Sequence, residues 1–354
     1  MNTQTSEQLV HSSVQDYYGR VLKSQQDLQT SACCPTGAPP AHVRAILPLI
    51  HPQIRERSYG CGSPIPPAIE GSTVLDLGCG TGQDVYVLSK LVGSSGRVVG
   101  VDMTPEQLAV ARQHIEHHRV TFGYDHSNVE LVHGYIEDLA SCGVQDESVD
   151  VVVSNCVLNL APDKSRVFAE IFRVLKPGGE LYFSDVFADR RLPREWLSDA
   201  RLVGECLAGA LYLQDFRRLV ASQGCLDARF VSISDFDVSN AEIQQQVGNT
   251  RFYSATVRAF KMPLEDRCED YGQVAHYLGT ITGYPHAFAL DDHHLFVTGK
   301  PMLVCGNTAD MISNSRYARH FSVAGHKSQH FGLFDCSNPR SGIAQTHSQP
   351  ASCC

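Results

Sequence analysis

The stretch Val74-Leu-Asp-Leu-Gly-Cys-Gly-Thr-Gly82 constrains this chain more than any other. Residues 73–76 have the β-branched, apolar character of a strand. Gly78, Gly80 and Gly82 then form a turn, and apolar residues recur at helical spacing over 84–92. Glycine is needed in such a turn because the backbone takes positive φ and a ligand must lie against it with no Cβ in the way. The helix that follows aims its unpaired N–H groups at whatever occupies the turn, which favours a carboxylate or a ribose oxygen.

A Gly-rich turn alone is a weak signal, but two features sharpen it. A strand over 97–101 delivers Asp102 about 20 residues beyond the turn, the usual spacing for an acid that grips ribose hydroxyls. The turn also reads Gly-x-Gly-x-Gly, not the Gly-x-Gly-x-x-Gly built for a pyrophosphate, and Asp76 stands just before it. Together these residues resemble motif I of the class I S-adenosylmethionine-dependent methyltransferases, which implies S-adenosylmethionine in preference to NAD.

From residue 73 onward strands and helices alternate: strands over 73–76, 97–101, 129–133, 149–154 and 180–185, with helices over 84–92, 105–118 and 164–175 between them. Such alternation predicts an α/β fold with a doubly wound, mainly parallel sheet. The last strands are expected over 228–232 and 252–260. Ligands in such sheets lie beyond the carboxyl ends of the strands. That directs attention to Gly134-Tyr-Ile-Glu-Asp138 and Asn155-Cys-Val-Leu-Asn159. In the methyltransferase reading Ile136 and Glu137 lie beside the adenine and Asn155 near the methionine end, which puts Cys156 where the transferable methyl belongs. Taken alone, the residue reads better as a small apolar group closing a strand. Cys206 falls in a helix expected over 202–213, running straight into 215–222, where a packing thiol is the plain alternative.

The alternation predicts four parts: an N-terminal lid with thiol-bearing loops over 1–70, a cofactor-binding domain over 71–260, a smaller mixed domain over 261–336, and a disordered tail over 337–354. Within the first part, Val14, Tyr17, Tyr18, Val21 and Leu22 recur at helical spacing and suit a lid or brace. Cys33 and Cys34 lie in a Pro- and Gly-rich loop, and Gly60 and Gly62 flank Cys61 and leave its thiol little cover. Asp291-Asp-His-His294 has metal-ligand residue types, but it reads better as a solvated turn before a strand.

A formal net charge of -9 argues against a nucleic-acid backbone as the main partner. No apolar run approaches the roughly 18 residues of a membrane span, and no secretory leader pattern opens the chain. A cytoplasmic protein is expected, which makes thirteen cysteines unusual, because that compartment keeps thiols reduced. None are spaced as Cys-x-x-Cys, which argues against a zinc ribbon or finger.

With these thiols placed, the chain resembles the arsenite S-adenosylmethionine methyltransferases. The stretches that carry the resemblance are Tyr59-Gly-Cys-Gly62, Leu75-Asp-Leu-Gly-Cys-Gly-Thr-Gly82, Gly134-Tyr-Ile-Glu-Asp138, Ser154-Asn-Cys-Val157, Gly178-Gly-Glu-Leu-Tyr-Phe-Ser-Asp185 and Gly204-Glu-Cys-Leu-Ala-Gly-Ala-Leu-Tyr212. The resemblance implies that Cys61, Cys156 and Cys206 hold trivalent arsenic. It further implies that an N-terminal thiol, Cys33 of the Cys33-Cys34 doublet, pairs with Cys61. Cofactor contacts are implied from Tyr59, Asp76, Gly78, Gly80, Gly82, Asp102, Met103, Gln107, Ile136, Glu137 and Asn155. Thioredoxin or glutathione is the implied reductant, arsenite or its thiol complexes the substrate, and the chain is expected to act as a monomer without membrane or nucleic-acid partners. Soft arsenic binds thiolates in preference to oxygen or nitrogen, so the residue types suit the chemistry. Two other readings keep the fold: a methyltransferase for a carbon, oxygen or nitrogen acceptor with structural cysteines, and a thiol-based arsenite-binding protein without turnover. The terminal Cys353-Cys354 pair is expected to be dispensable.

Overall fold

The computed structural model describes residues 6–21, 39–57, 62, 64–236, 238 and 240–336, with the backbone alone for residues 6–9, 20 and 21. Cys33, Cys34, Tyr59, Cys61, Cys353 and Cys354 lie outside the described residues.

A sheet organises the chain. Its strands in chain order are β1 (Thr73–Leu77), β2 (Arg97–Asp102), β3 (Val129–His133), β4 (Val149–Asn155), β5 (Leu175–Ala188), β6 (Leu211–Tyr212), β7 (Arg229–Phe236) and β8 (Phe252–Phe260). They lie in the order β3-β2-β1-β4-β5-β8-β7, with β6 paired to the end of β5. The β1 to β5 neighbours are parallel, and β8 runs antiparallel to both β5 and β7. Val and Leu fill β1, β2 and β4, which are buried on both faces because helices cover each side. The chain moves outward from β1 to β3, then returns to lay β4 against β1. That return is the switch in strand order at which open α/β sheets bind their ligands.

Two helices differ from the expected reading. The helix expected over 105–118 is two, Pro105–Gln113 and Ile115–Phe122, broken at His114, whose ring stacks on His51 at 3.7 Å. The long helix expected through Cys206 stops at Gly204: Ala200–Gly204 is one short helix, Cys206 takes φ +59°, and Leu213–Ser222 starts afresh after β6. The break follows from close packing at Gly209, where a Cβ would stand 2.0 Å from the Asn159 carbonyl oxygen.

Beyond β8 the chain builds a smaller unit. β9 (Glu269–Asp270), β10 (Gln273–Tyr277), β11 (Ala287–Ala289), β12 (Leu295–Val297), β13 (Pro301–Val304), β14 (Phe321–Ala324) and β15 (Gly332–Leu333) form a three-stranded sheet, the antiparallel pair β11–β12 and the antiparallel pair β9–β15, with the helix Gly306–Ser313 against them. Its aromatic core, including Tyr277, Phe288, Phe296 and Tyr317, is continuous with Phe260 of β8 and with Ala68. Asp291 and His294 are not a solvated turn. Both are buried in an ionic cluster on Arg229, a residue of β7 whose sequence distance hid the connection.

Candidate functional site

A cavity enclosing about 1030 Å³ of empty space, mouth included, opens at the carboxyl ends of β1 to β4. Each strand contributes the residues that follow it: Asp76 to Gly80 from β1, Asp102 to Thr104 from β2, Gly134 to Glu137 from β3 and Asn155 to Ala161 from β4. Of the expected cofactor residues, Asp76, Gly78, Gly80, Asp102, Met103, Gln107, Ile136, Glu137 and Asn155 all line it. Gly82 stands behind the wall as the N-terminal residue of the helix Gln83–Val92, with φ +88°. Gly78 is required by a close approach, because a Cβ there would lie 2.4 Å from the Val157 side chain.

The electrostatics of this cavity call for a cation. Asp76, Asp84 and Asp102 crowd around the glycine turn, and burial first, then the other two carboxylates, pushes the Asp76 carboxyl well above its ordinary range. Asp102 is held by its neighbours, accepting from the Gly80 N–H at 2.8 Å and the Thr104 N–H at 2.7 Å. Asp84 accepts from the Asn155 amide at 3.1 Å. By contrast Asp76 Oδ2, Asn155 Oδ1 and Gln107 Oε1 are buried without a hydrogen-bond partner among the described residues. Buried acceptors are expected to be satisfied, so three aimed into one cavity suit a ligand rich in N–H and O–H donors. S-adenosylmethionine fits: its ammonium and ribose hydroxyls donate, and its sulfonium is cationic.

Two thiols and a carboxylate gather at one side of this cavity. A Cys156 sulfur, a Cys206 sulfur and an Asp185 oxygen lie within 4.8 Å of one another, all three residues buried. Cys156 lines the cavity, so the group adjoins the cofactor space. Cys156 and Cys206 have φ of +56° and +59°, a region that a side chain with a Cβ seldom adopts and that is found at sites where surrounding structure imposes it. Asp185 was missed in the sequence, although it follows Ser184, the β5 residue that pairs with Asn155 at the end of β4. It accepts from the Asn159 amide at 2.7 Å and the Val186 N–H at 2.8 Å, and burial lifts its carboxyl to about 7 against those bonds.

The N-terminal segment spans both halves. The helix Ser6–Asp16 and the single π-helical turn Tyr17–Val21 lie across the cavity. On the cofactor side the His11 ring meets Glu137 Oε1 at 3.1 Å, and the Gln15 amide donates to the Met103 carbonyl at 2.7 Å. On the thiol side the Tyr17 hydroxyl donates to Glu205 at 2.9 Å and the Tyr18 hydroxyl to the Gly204 carbonyl at 2.8 Å. One short segment therefore ties the two sites together.

Sheet order, glycine turn and anionic cavity define a class I methyltransferase, and residues 69–224 match the model of a methyltransferase domain. Residues 270–347 match the model of the arsenite methyltransferase C-terminal domain. The chain is 52% identical to an arsenite methyltransferase of Aquipseudomonas alcaligenes over 92% of this chain and 94% of that one. It is 43% identical to the human arsenite methyltransferase over 89% of this chain and 84% of the relative. The crystal structure of an arsenic(III) S-adenosylmethionine methyltransferase from Chlamydomonas reinhardtii superimposes with a TM-score of 0.81 at 53% identity, covering 84% of this chain and all of that one. This chain belongs to the arsenite methyltransferase family.

Proposed function

We propose that this chain transfers methyl groups from S-adenosylmethionine to thiolate-bound trivalent arsenic, yielding mono- and then dimethylated arsenicals. The observation that carries this reading is the convergence of the Cys156 and Cys206 sulfurs beside the cavity that the acids of β1 and β2 build. Cys61 supplies the third thiolate, from outside the described residues. Three thiolates hold arsenic as a pyramid whose lone pair projects, and that lone pair is the nucleophile.

S-adenosylmethionine supplies an electrophilic methyl group on a sulfonium sulfur. The protein's task is alignment: Asp76, Asp102 and Asn155 fix the donor, the cysteines fix the acceptor, and the lid residues His11 to Tyr18 hold the two sides together and limit water. Capture of arsenite releases water as thiol protons pass to the departing hydroxyls, and the Asp185 carboxylate is positioned to carry them.

Methyl transfer formally oxidises arsenic by two electrons. Two protein thiolates return those electrons by forming a disulfide, and thioredoxin or glutathione then reduces it to two thiols. Cys156, which lines the cofactor cavity, is one of the thiols through which this redox cycle would run. Cys33, by exchange with Cys61, resolves the disulfide. Such a cycle suits a monomer in the reducing cytoplasm.

The test is to incubate the purified chain with arsenite, S-adenosylmethionine and a thiol reductant, then speciate the arsenic. Methylated arsenicals are expected, and Cys61→Ser is expected to lose the first methylation while still converting monomethylarsenite. A Cys61→Ser protein that methylates inorganic arsenite at the native rate overturns the three-thiolate scheme. Tight arsenite binding without methylated product overturns the activity itself.

A further inference from the structure

The smaller C-terminal unit holds a second sulfur cluster that the methylation site does not use. The sulfurs of Cys268, Cys305 and Cys336 lie within 4.8 Å of one another, though the residues are far apart in the chain. Cys268 precedes β9, Cys305 is the N-terminal residue of the helix Gly306–Ser313, and Cys336 follows β15. None of the three is in a disulfide. Cys268 and Cys305 are buried and Cys336 is half-buried, so the cluster is reached from one side.

We propose that Cys268, Cys305 and Cys336 form an accessory site for trivalent arsenic, distinct from the methylation site and outside the cofactor cavity. The sulfur count favours this occupant. Trivalent arsenic is complete with three thiolates in a pyramid, whereas structural zinc takes four ligands, and the described residues bring no fourth ligand to this cluster. Charge points the same way. The Arg229 guanidinium reaches the Cys305 sulfur at 3.7 Å but is already paired with Asp227 and Asp291 at 2.7 and 2.8 Å. A neutral arsenic trithiolate needs no further cation, whereas zinc on three thiolates leaves a negative charge in a buried place.

Cys305 is fully buried, and its sulfur lies 3.2 Å from the Thr308 hydroxyl and 3.7 Å from the Arg229 guanidinium. Binding exchanges three As–OH bonds for three As–S bonds: arsenous acid and three thiols give the trithiolate and three waters, with no electron transferred. The bound atom joins three chain segments, so it both stores substrate and clamps the C-terminal strands.

The full-length chain in which Cys33, Cys34, Cys61, Cys156, Cys206, Cys353 and Cys354 are all serine isolates this cluster from every thiol assigned above. After arsenite loading and desalting it is expected to retain about one arsenic per chain, with three As–S contacts by X-ray absorption. Adding Cys305→Ser, or separately the half-buried Cys336→Ser, is expected to remove that arsenic while circular dichroism stays unchanged. The second variant decides the matter should the first not fold. Retention that survives both substitutions, no retention in the seven-serine chain, or zinc that arsenite does not displace overturns the proposal. Because this background cannot methylate, the outcome is independent of the scheme proposed for Cys61, Cys156 and Cys206.

Discussion

The Cys206 thiol donates to the carbonyl oxygen of Cys156 at 3.3 Å, and both residues hold a left-handed backbone. The proposed acceptor site is thus positioned by the fold itself: the turn after β4 and the broken helix after Gly204 fix each other through the residues that carry the sulfurs. Serine can make the same bond to the Cys156 carbonyl but cannot bind soft arsenic well. Cys206→Ser is therefore expected to melt within about 4 °C of the native chain, a shift worth about 1 kcal/mol or less. Its arsenic methylation should fall by at least about 100-fold, since positioning of the nucleophile is lost. Thermal unfolding and arsenic speciation on one preparation check both halves.

Asp185 shares the thiol cluster without being a thiol. Its oxygens accept from Asn159 and Val186, and an amide retains one acceptor for them. Asp185→Asn is expected to fold and to bind S-adenosylmethionine as before, but to capture arsenite about 100-fold more slowly, the lower range for a lost proton carrier. Stopped-flow quenching of Trp196, which packs in the same apolar cluster as Cys156 and Cys206, reads the capture step. An unchanged capture rate would remove Asp185 from the proton path.

The cofactor half of this site is legible in sequence because it is local: the glycine turn, Asp76 and Asp102 sit at fixed distances along the strands that carry them. The acceptor half is not. Nothing periodic relates Cys156 to Cys206, and only the motif-level resemblance joined them. Asp185 carries no such signal, because β5 runs on past it to Ala188 and only the pairing with β4 ends beside it. The helix break at Cys206 had a signal in Gly204 and Gly209, but the contact that enforces it is with Asn159, a long-range packing fact. The Cys268, Cys305 and Cys336 cluster and the Arg229, Asp291 and His294 cluster had none, since their members lie on separate strands and loops.

Glu180 pins the C-terminal unit to the sheet. Buried at the start of the β5–β8 pairing, it forms ion pairs with Arg258 at 2.8 Å and with Arg316, and Tyr317 lies between the two guanidinium groups. Removing one partner from such a group leaves buried charge uncompensated, typically worth about 3–5 kcal/mol. Glu180→Ala is expected to lose that much by urea unfolding, with the C-terminal unit melting first. Loss below about 1 kcal/mol would show that water already reaches this group.

His118 predicts how stability depends on pH. Its Nε2 accepts from the His51 N–H at 3.3 Å and its Nδ1 faces the His114 carbonyl at 2.7 Å, so the neutral ring with hydrogen on Nδ1 satisfies both, while its face stacks on Tyr86 at 3.7 Å. Protonating Nε2 removes the acceptor that His51 uses. Burial, opposed in part by the bond to His114, pushes its pKa down to about 4 from 6.5. The folded state therefore binds the proton more weakly than the unfolded chain. The contribution is fully present above pH 6.5, declines as pH falls from 6.5 toward 4, and changes no further below that. Discounted for screening beside the exposed His117, the loss is on the order of 2 kcal/mol. His118→Gln keeps an acceptor and a donor in similar places but does not titrate, so its stability should vary less over this interval by about that amount. Urea midpoints at pH 7 and pH 4.5 for both proteins measure the difference, and equal pH slopes would assign the acid sensitivity to groups other than His118.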